Sequence, residues 1–551
     1  MTTPRIRTPR RGPTGPRARG LGGRGARRPT LRRAGPVAGL LALLPAALAG
    51  QTPADAQARA LDAARAYREA HGPAILRSFA ELLALPNVAS DREGIRRNAE
   101  ELRARLEARG VAAELLELPG ANPIVFGELR VPGATRTLGI YLHYDGQPVN
   151  PARWTHAPWE PTLYTRLIQD GGRPIPFPAD GEAVDPEWLV YARSAGDDKA
   201  PFGALFPVLD ALAERGITPT SNLVFFFEGE EEAGSIHLRD YMERFRDRLD
   251  DIDLWLFFDG PVHQSGRPLI TFGVRGVTGL EITVYGPNRP LHSGHYGNWA
   301  PVPGMMLARL LASMKDDDGN VLIEGFYDTV EPLGDEERRA LAALPRYDEE
   351  LKRELGLAWT EGQPQTLAER LMLPSLTVRG LASADVGERA RNVIPATATA
   401  TLGIRLVKGN DPEHMLDLVE AHIVRQGYHI VRDEPDQATR LRYPRIARVT
   451  RRETGYPAAR TPMNLPIARQ VIDAARRAAG GQELVLVPAL GGSLPLYLFT
   501  DVAGKPALIV PIANHDDNQH AADENLRVRN LWYGMDLYAA LLTMPAGGPL
   551  P

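Results

Sequence analysis

Cysteine is absent from this 551-residue chain. That excludes disulfides, thiolate metal ligands, a cysteine nucleophile and a cysteine-linked lipid anchor, so any metal must be held by His, Asp and Glu. Acid is absent from the first 33 residues, which carry eleven arginines and are rich in Gly, Pro and Thr; such a segment cannot pack a core. A long hydrophobic run is absent too. The uncharged apolar stretch 34–49 is interrupted by Pro36 and Pro45 and falls short of the roughly 20 residues a membrane span needs. It follows a basic leader and ends in Ala47-Leu48-Ala49, a small-x-small cleavage pattern, so residues 1–49 read as a signal peptide. Arg32-Arg33 precede the run without the rest of a twin-arginine pattern. Removing the eleven arginines takes the net charge from −4 to about −15, which disfavours nucleic acid as a partner. The expectation is a periplasmic or secreted protein with no membrane attachment after cleavage.

What remains is long enough for two domains and ordinary in its apolar and charged content. From 54 to 117 the spacing of Leu61, Ala64, Tyr67, Ile75, Phe79 and Leu82 predicts helix, with a second amphipathic helix over 92–109 stopped by Gly110. Apolar, β-branched runs at 124–131, 137–144, 223–227 and 254–258 predict strands. Helices alternating with such strands imply an α/β domain with a largely parallel sheet, in which sites collect where strands end.

Polar residues crowd those strand ends. Leu223 to Phe227 runs straight into Glu228-Gly229-Glu230-Glu231-Glu232-Ala233-Gly234-Ser235. Alone, this reads equally well as a solvated acidic loop or as a source of a metal ligand and a proton-transfer base. His143 and Asp145 close the 137–144 strand two residues apart, hence on one face. A ligand histidine commonly donates its second ring N–H to a carboxylate, and Asp145 is placed for that. Gly196-Asp197-Asp198-Lys199 precedes an apolar helix, where Asp also serves as a helix cap. Asp259 ends the 254–258 run, and 514–520 holds both His515 and His520. Hard oxygen and imidazole donors gathered at strand ends suggest a metal site.

Taken together, His143-x-Asp145-x-Gln147-Pro148, Ser194-x-Gly196-Asp197-Asp198-Lys199 and the Glu228 to Ser235 stretch resemble the M20 family of di-zinc metallopeptidases, in its dipeptidase and carnosinase-like branch. The similarity continues through Thr271 to Gly276, His292-Ser293-Gly294, Arg405 and Gly491-Gly492-Ser493, and spans about residues 58 to 545. The resemblance implies a zinc-exopeptidase-like catalytic domain with a mixed, mostly parallel sheet, over 58–276 and 483–545. It implies an inserted two-layer α+β sandwich lid over 277–482, through which family members often form homodimers.

The same resemblance carries roles onto this chain. His143 and Asp259 would bind one Zn²⁺, Glu232 and His520 the other, and Asp197 would bridge them; Mn²⁺ or Co²⁺ would also suit such ligands. Glu231 would be the general base and Asp145 would orient His143. His292 would stabilise the oxyanion, in some family members from the partner subunit. Arg405, with Gly492 and Ser493, would hold the substrate, the guanidinium taking its C-terminal carboxylate. Asp at 259 fits the dipeptidase and aminopeptidase branch. One departure is Ala489-Leu490, where family dipeptidases often carry Arg-Glu; the missing acid removes a partner for a substrate amine. The expected function is hydrolysis of dipeptides or short peptides. N-acyl-amino-acid deacylation is the alternative within the class, and a catalytically silent peptide-binding protein the alternative outside it.

Overall fold

The computed structural model describes residues 53–452 and 455–545; the expected signal peptide, 1–49, lies outside the described residues. An eight-stranded mixed sheet forms the large domain. Its centre is the strand Thr137–His143, which pairs in parallel with Asn222–Glu228 on one side and Leu254–Phe257 on the other. Ala507–Ile509 continues the parallel set beside Leu254–Phe257, while Ala112–Leu116 and Ile124–Leu129 make an antiparallel edge.

Period-two alternation explains why these strands are apolar throughout. Leu138, Ile140, Leu142, Leu223, Phe225, Phe227, Leu254 and Leu256 face one core, against the helices Pro53–Leu83, Arg92–Glu107, Ala200–Glu214 and Val528–Leu542. Tyr141, Val224, Phe226, Trp255 and Phe257 face the opposite core, under the short helix Leu238–Arg244. Gly139 is required in the central strand, because a Cβ there would lie 2.5 Å from the Trp255 ring.

The smaller domain is a five-stranded sheet in the order Ser375–Ala382, Thr397–Leu406, Gly276–Tyr285, Ile446–Arg451 and His429–Val431. The helices Pro303–Ala312 and Pro412–Arg425 cover one face, burying Leu307, Leu310, Met415, Leu416, Val419 and Ile423 against Leu280, Ile282, Leu402 and Ile404. The other face carries Val277 and Arg405. This is the two-layer arrangement expected of the lid.

One expectation needs correction. The lid does not run to 482: the helix Pro466–Ala478 packs Ile467, Val471 and Ala475 into the large domain's core, and Ala459–Arg460 already pairs with Gly273–Val274. The chain therefore returns near 456. An amphipathic helix reads alike in either domain, so spacing gave no sign of this. After the His520 loop, Asn525–Arg527 is a strand paired with Leu189–Tyr191, and a helix begins at Val528. No helix among the described residues is long and apolar enough to cross a membrane.

Candidate metal and peptidase site

The parallel register assembles the site. Tyr141 pairs with Phe257, so two residues further along both strands His143 comes level with Asp259. His143 also pairs with Glu228, after which the chain turns through the short 3-10 segment Glu231–Ala233. Asp197 arrives from the loop before the helix Ala200–Glu214, whose N-cap is Lys199 and not an aspartate. His520 comes from the loop after Ala507–Ile509, in a left-handed conformation (φ 62°).

These residues form two groups that share one carboxylate. Donor atoms of His143, Asp197 and Asp259 lie within 4.8 Å of one another, and so do those of Asp197, Glu232 and His520. Asp197 divides its oxygens between them: Oδ1 is 2.9 Å from His143 Nε2, and Oδ2 is 3.0 Å from His520 Nε2. His520 Nε2 also lies 3.3 Å from Glu232 Oε2. His515, the rival ligand, is exposed and belongs to neither group.

Supporting contacts fix these side chains. Asp145 accepts hydrogen bonds from the Glu231 and Glu232 amides at 3.1 and 3.0 Å. It therefore holds the turn bearing both glutamates. His143 Nδ1 is nearer the Asp145 backbone carbonyl, at 3.2 Å, than its carboxylate, at 3.5 Å. The expected orienting role thus runs mainly through the main chain. Gln147 and Gln519 donate to Glu232 and Asp197. Glu524 was not singled out in the sequence. Its carboxylate is fully buried and accepts from the amides of Ser194, Gly196 and Asp197 and from Arg193 Nη1, tying down the whole Asp197 loop. Gly196 is needed there, since a Cβ would sit 2.7 Å from Asp517 Oδ2.

Electrostatics single out the same place. Burial and the Asp197 charge push Asp259 up to about 6, and burial with Asp197 pushes Glu232 up to about 7. Burial raises Glu231 well above the carboxylate range, with Asp259, Asp197 and Glu232 adding to it. Burial would raise Asp197 too, but the hydrogen bonds from His143 and His520 outweigh it and hold it low. The Asp197 hydrogen bond lifts His520 to about 9. Among the described residues no Lys or Arg pairs with Asp197, Glu231, Glu232 or Asp259. Crowded carboxylates without cationic side chains, converging with two imidazoles, are a donor set that fits divalent cations.

Across the domain junction, Arg405 donates from Nη1 to Ser493 Oγ, and Gly492 O accepts from the Arg275 amide. Ser375, Arg405, Val277 and Tyr456 are successive cross-strand partners, so their side chains share one face. Burial and Glu231 raise the Tyr456 phenol while Arg405 opposes them. His292 is not brought to the cluster. It is exposed on the ribbon Leu291–His292/Val393–Ile394, its Nδ1 accepting from the Gly294 amide.

A family model described as peptidase family M20/M25/M40 matches residues 139–544. The chain belongs to this family. It is therefore an enzyme of the peptidase class. Among curated relatives, Cys-Gly metallodipeptidase DUG1 of Candida albicans is 29% identical over 424 residues, covering 75% of this chain and 79% of the relative. Human Beta-Ala-His dipeptidase is 25% identical over 429 residues, 76% of each chain. Among solved structures, an M20 family metallo-carboxypeptidase, Sso-CP2 from Sulfolobus solfataricus, superposes with a TM-score of 0.67 at 27% identity, covering 85% of this chain and 98% of that one.

Proposed function

We propose that this family member is a dipeptidase or short-peptide exopeptidase that works with two divalent cations, Zn²⁺ by preference. The observation that carries this reading is the division of the Asp197 oxygens between His143 and His520, with Asp259 and Glu232 completing the two groups. His143, Asp259 and Asp197 would hold one cation; Glu232, His520 and Asp197 would hold the other. When bound, such ions supply Lewis acidity and acidify water at the site.

The chain's own groups do the rest. Glu231 receives no hydrogen bond on its carboxylate from any described residue, which leaves it available as a base. It takes the proton of the attacking water and returns it to the amine nitrogen as the amide bond breaks. Asp145 keeps Glu231 aimed by holding its backbone amide. Arg405, steadied by Ser493, binds the carboxylate of the C-terminal residue. Dipeptidases and a carboxypeptidase both appear among the relatives, and substrates of both kinds present that carboxylate next to the scissile bond. His292 would reach an oxyanion only from a partner subunit's lid, since it stands apart from the cluster of its own chain.

Deacylation of N-acyl amino acids is the second reading. It is favoured by Leu490, which packs into an apolar cluster where an acid would meet a substrate amine. The deciding experiment is turnover of a dipeptide panel and the matching N-acetyl amino acids by the Zn²⁺-loaded protein. Cleavage of the acetylated compounds alone would overturn the dipeptidase reading, and inertness towards both would overturn hydrolysis.

The proposal extends to export and dimerisation. The basic leader and its small-x-small site support export; an intact leader on protein recovered from the cell envelope contradicts it. The unpaired edge strand Ser375–Ala382, with Val378 and Leu381 exposed, supports a homodimer through the lid; a monomer by sedimentation at micromolar concentration contradicts it.

A further inference from the structure

A cavity of about 610 Å³ is lined in part by Ser375, on the strand next to that of Arg405. Its walls are mostly apolar: Leu351, Leu355, Leu357, Trp359, Leu367 and Leu371. These residues belong to the 348–371 stretch of the lid, where apolar side chains are scattered among charged ones. Leu355, Trp359 and Leu367 are each more than half exposed, an unusual cost for a stretch that could have turned them inward.

The cavity adjoins the carboxylate anchor on two sides. Ser375, the direct cross-strand partner of Arg405, lines it. Arg275 lines it as well, donating to Ser375 Oγ and, through its amide, to Gly492 O beside Ser493. Leu371 packs against Gly491, 3.2 Å from where a Cβ would stand. Arg275 is 5% exposed, its Nε has no partner, and no carboxylate pairs with it among the described residues. Arg275 therefore gives the cavity a cationic end on the Ser375 side, next to the strand that carries Arg405; the remaining wall is mostly apolar, with Lys315, Lys352, Arg370, Asp348 and Glu361 among it.

The geometry points to this cavity as the pocket for the side chain of the residue whose carboxylate Arg405 holds, selecting large apolar residues such as Leu, Phe or Trp over Gly or Ala. The inference rests on the assigned role of Arg405 but not on the nature of the acyl group. A dipeptide and an N-acyl amino acid present the same C-terminal residue, and both would place its side chain here. The volume is within the range of small-molecule sites and takes an indole with room to spare.

The test compares kcat/KM for Ala-Phe with that for Ala-Gly, or N-acetyl-Phe with N-acetyl-Gly if only acylated compounds react. It uses wild type, Leu367→Glu and Trp359→Ala; both positions are exposed enough for the fold to tolerate change. Wild type is expected to favour Phe by about 10-fold or more, in line with apolar pocket discrimination. Leu367→Glu is expected to lower that ratio to about one-tenth of its wild-type value. A wild-type ratio near one, or a ratio unmoved in both variants, overturns the assignment. If no substrate reacts, the proposed hydrolysis fails, yet the pocket is still read by calorimetric binding of L-phenylalanine against glycine. Binding of phenylalanine that weakens in Leu367→Glu supports the pocket, and equal binding of both amino acids overturns it.

Discussion

Glu524 holds Asp197 from behind: its Oε1 accepts the Asp197 amide at 2.9 Å, across 327 residues of sequence. The same carboxylate takes the Gly196 and Ser194 amides and Arg193 Nη1. Four donors on one buried carboxylate make it a scaffold for the residue that joins the two metal groups. Glu524→Gln keeps the shape but turns an N–H₂ group toward N–H donors. Removing such a supporting contact typically costs 10–100-fold in metal affinity. We expect Glu524→Gln to lose its cations at about 10–100-fold lower chelator concentration than wild type, measured by competition with a metallochromic dye. Unchanged affinity would remove the scaffold role.

Glu231 and Glu232 are neighbours with separate tasks. Glu232 faces His520 and receives Gln147, whereas no described residue donates to the Glu231 carboxylate. Glu231→Gln is therefore expected to keep full metal content by mass spectrometry while kcat falls at least about 10²-fold, the usual contribution of a general base. Loss of metal in this variant would make Glu231 a ligand.

The difference between what sequence made legible and what it did not follows from the kind of contact. His143, Asp197, Glu232, Asp259 and His520 could be picked out because each ends an apolar run or opens a turn, and their family order fixed the pairing. In space they gather into two groups that share Asp197. Glu524 could not be picked out, because its partners are backbone amides of a distant loop and leave no mark in side-chain pattern. Tyr456 was hidden for a related reason: its place beside Arg405 depends on a bridge through Val277 that no local period reveals. The cavity was hidden because 348–371 scatters its apolar residues among charges, as a solvated helix would. The helix Pro466–Ala478 was assigned to the wrong domain because amphipathicity reports that a face is buried and not which core buries it.

Arg405 is exposed to no competing carboxylate among the described residues, and Ser493 fixes one of its nitrogens. In the proposed role its value to substrate would be that of a charge-assisted hydrogen-bonded pair, about 1.5–3 kcal/mol. Arg405→Ala should raise KM by roughly 10–100-fold with a smaller change in kcat, the pattern of lost ground-state binding. Arg405→Lys should recover only part of the loss, because an ammonium cannot make the planar two-point contact. Steady-state kinetics on a single dipeptide decide it, and a KM that stays put in Arg405→Ala would leave the carboxylate without an anchor.

Metal removal should make stability depend steeply on pH. Without cations, burial raises Asp259 to about 6, Glu232 to about 7, and Glu228 and Asp517 to about 8. The Asp197 hydrogen bond lifts His520 to about 9. Each of these groups binds its proton more tightly folded than unfolded. Their contribution is fully present below the unfolded pKa and is lost as pH rises through the folded one. Asp197 has the opposite sign, but its low pKa places its effect in acid, outside this window. The chelated protein should therefore lose thermal stability steadily between about pH 6 and about pH 9. Cations replace the protons on Asp259, Glu232 and His520, and their affinity grows as these ligands deprotonate. The loaded protein should thus lose less of its Tm than the chelated one, since only Glu228 and Asp517 still titrate in it, so the gap between them widens with pH. Paired melting curves with and without chelator at about pH 6 and about pH 8.5 measure it. A gap that narrows with rising pH would mean that the buried carboxylates are not what the cations neutralise.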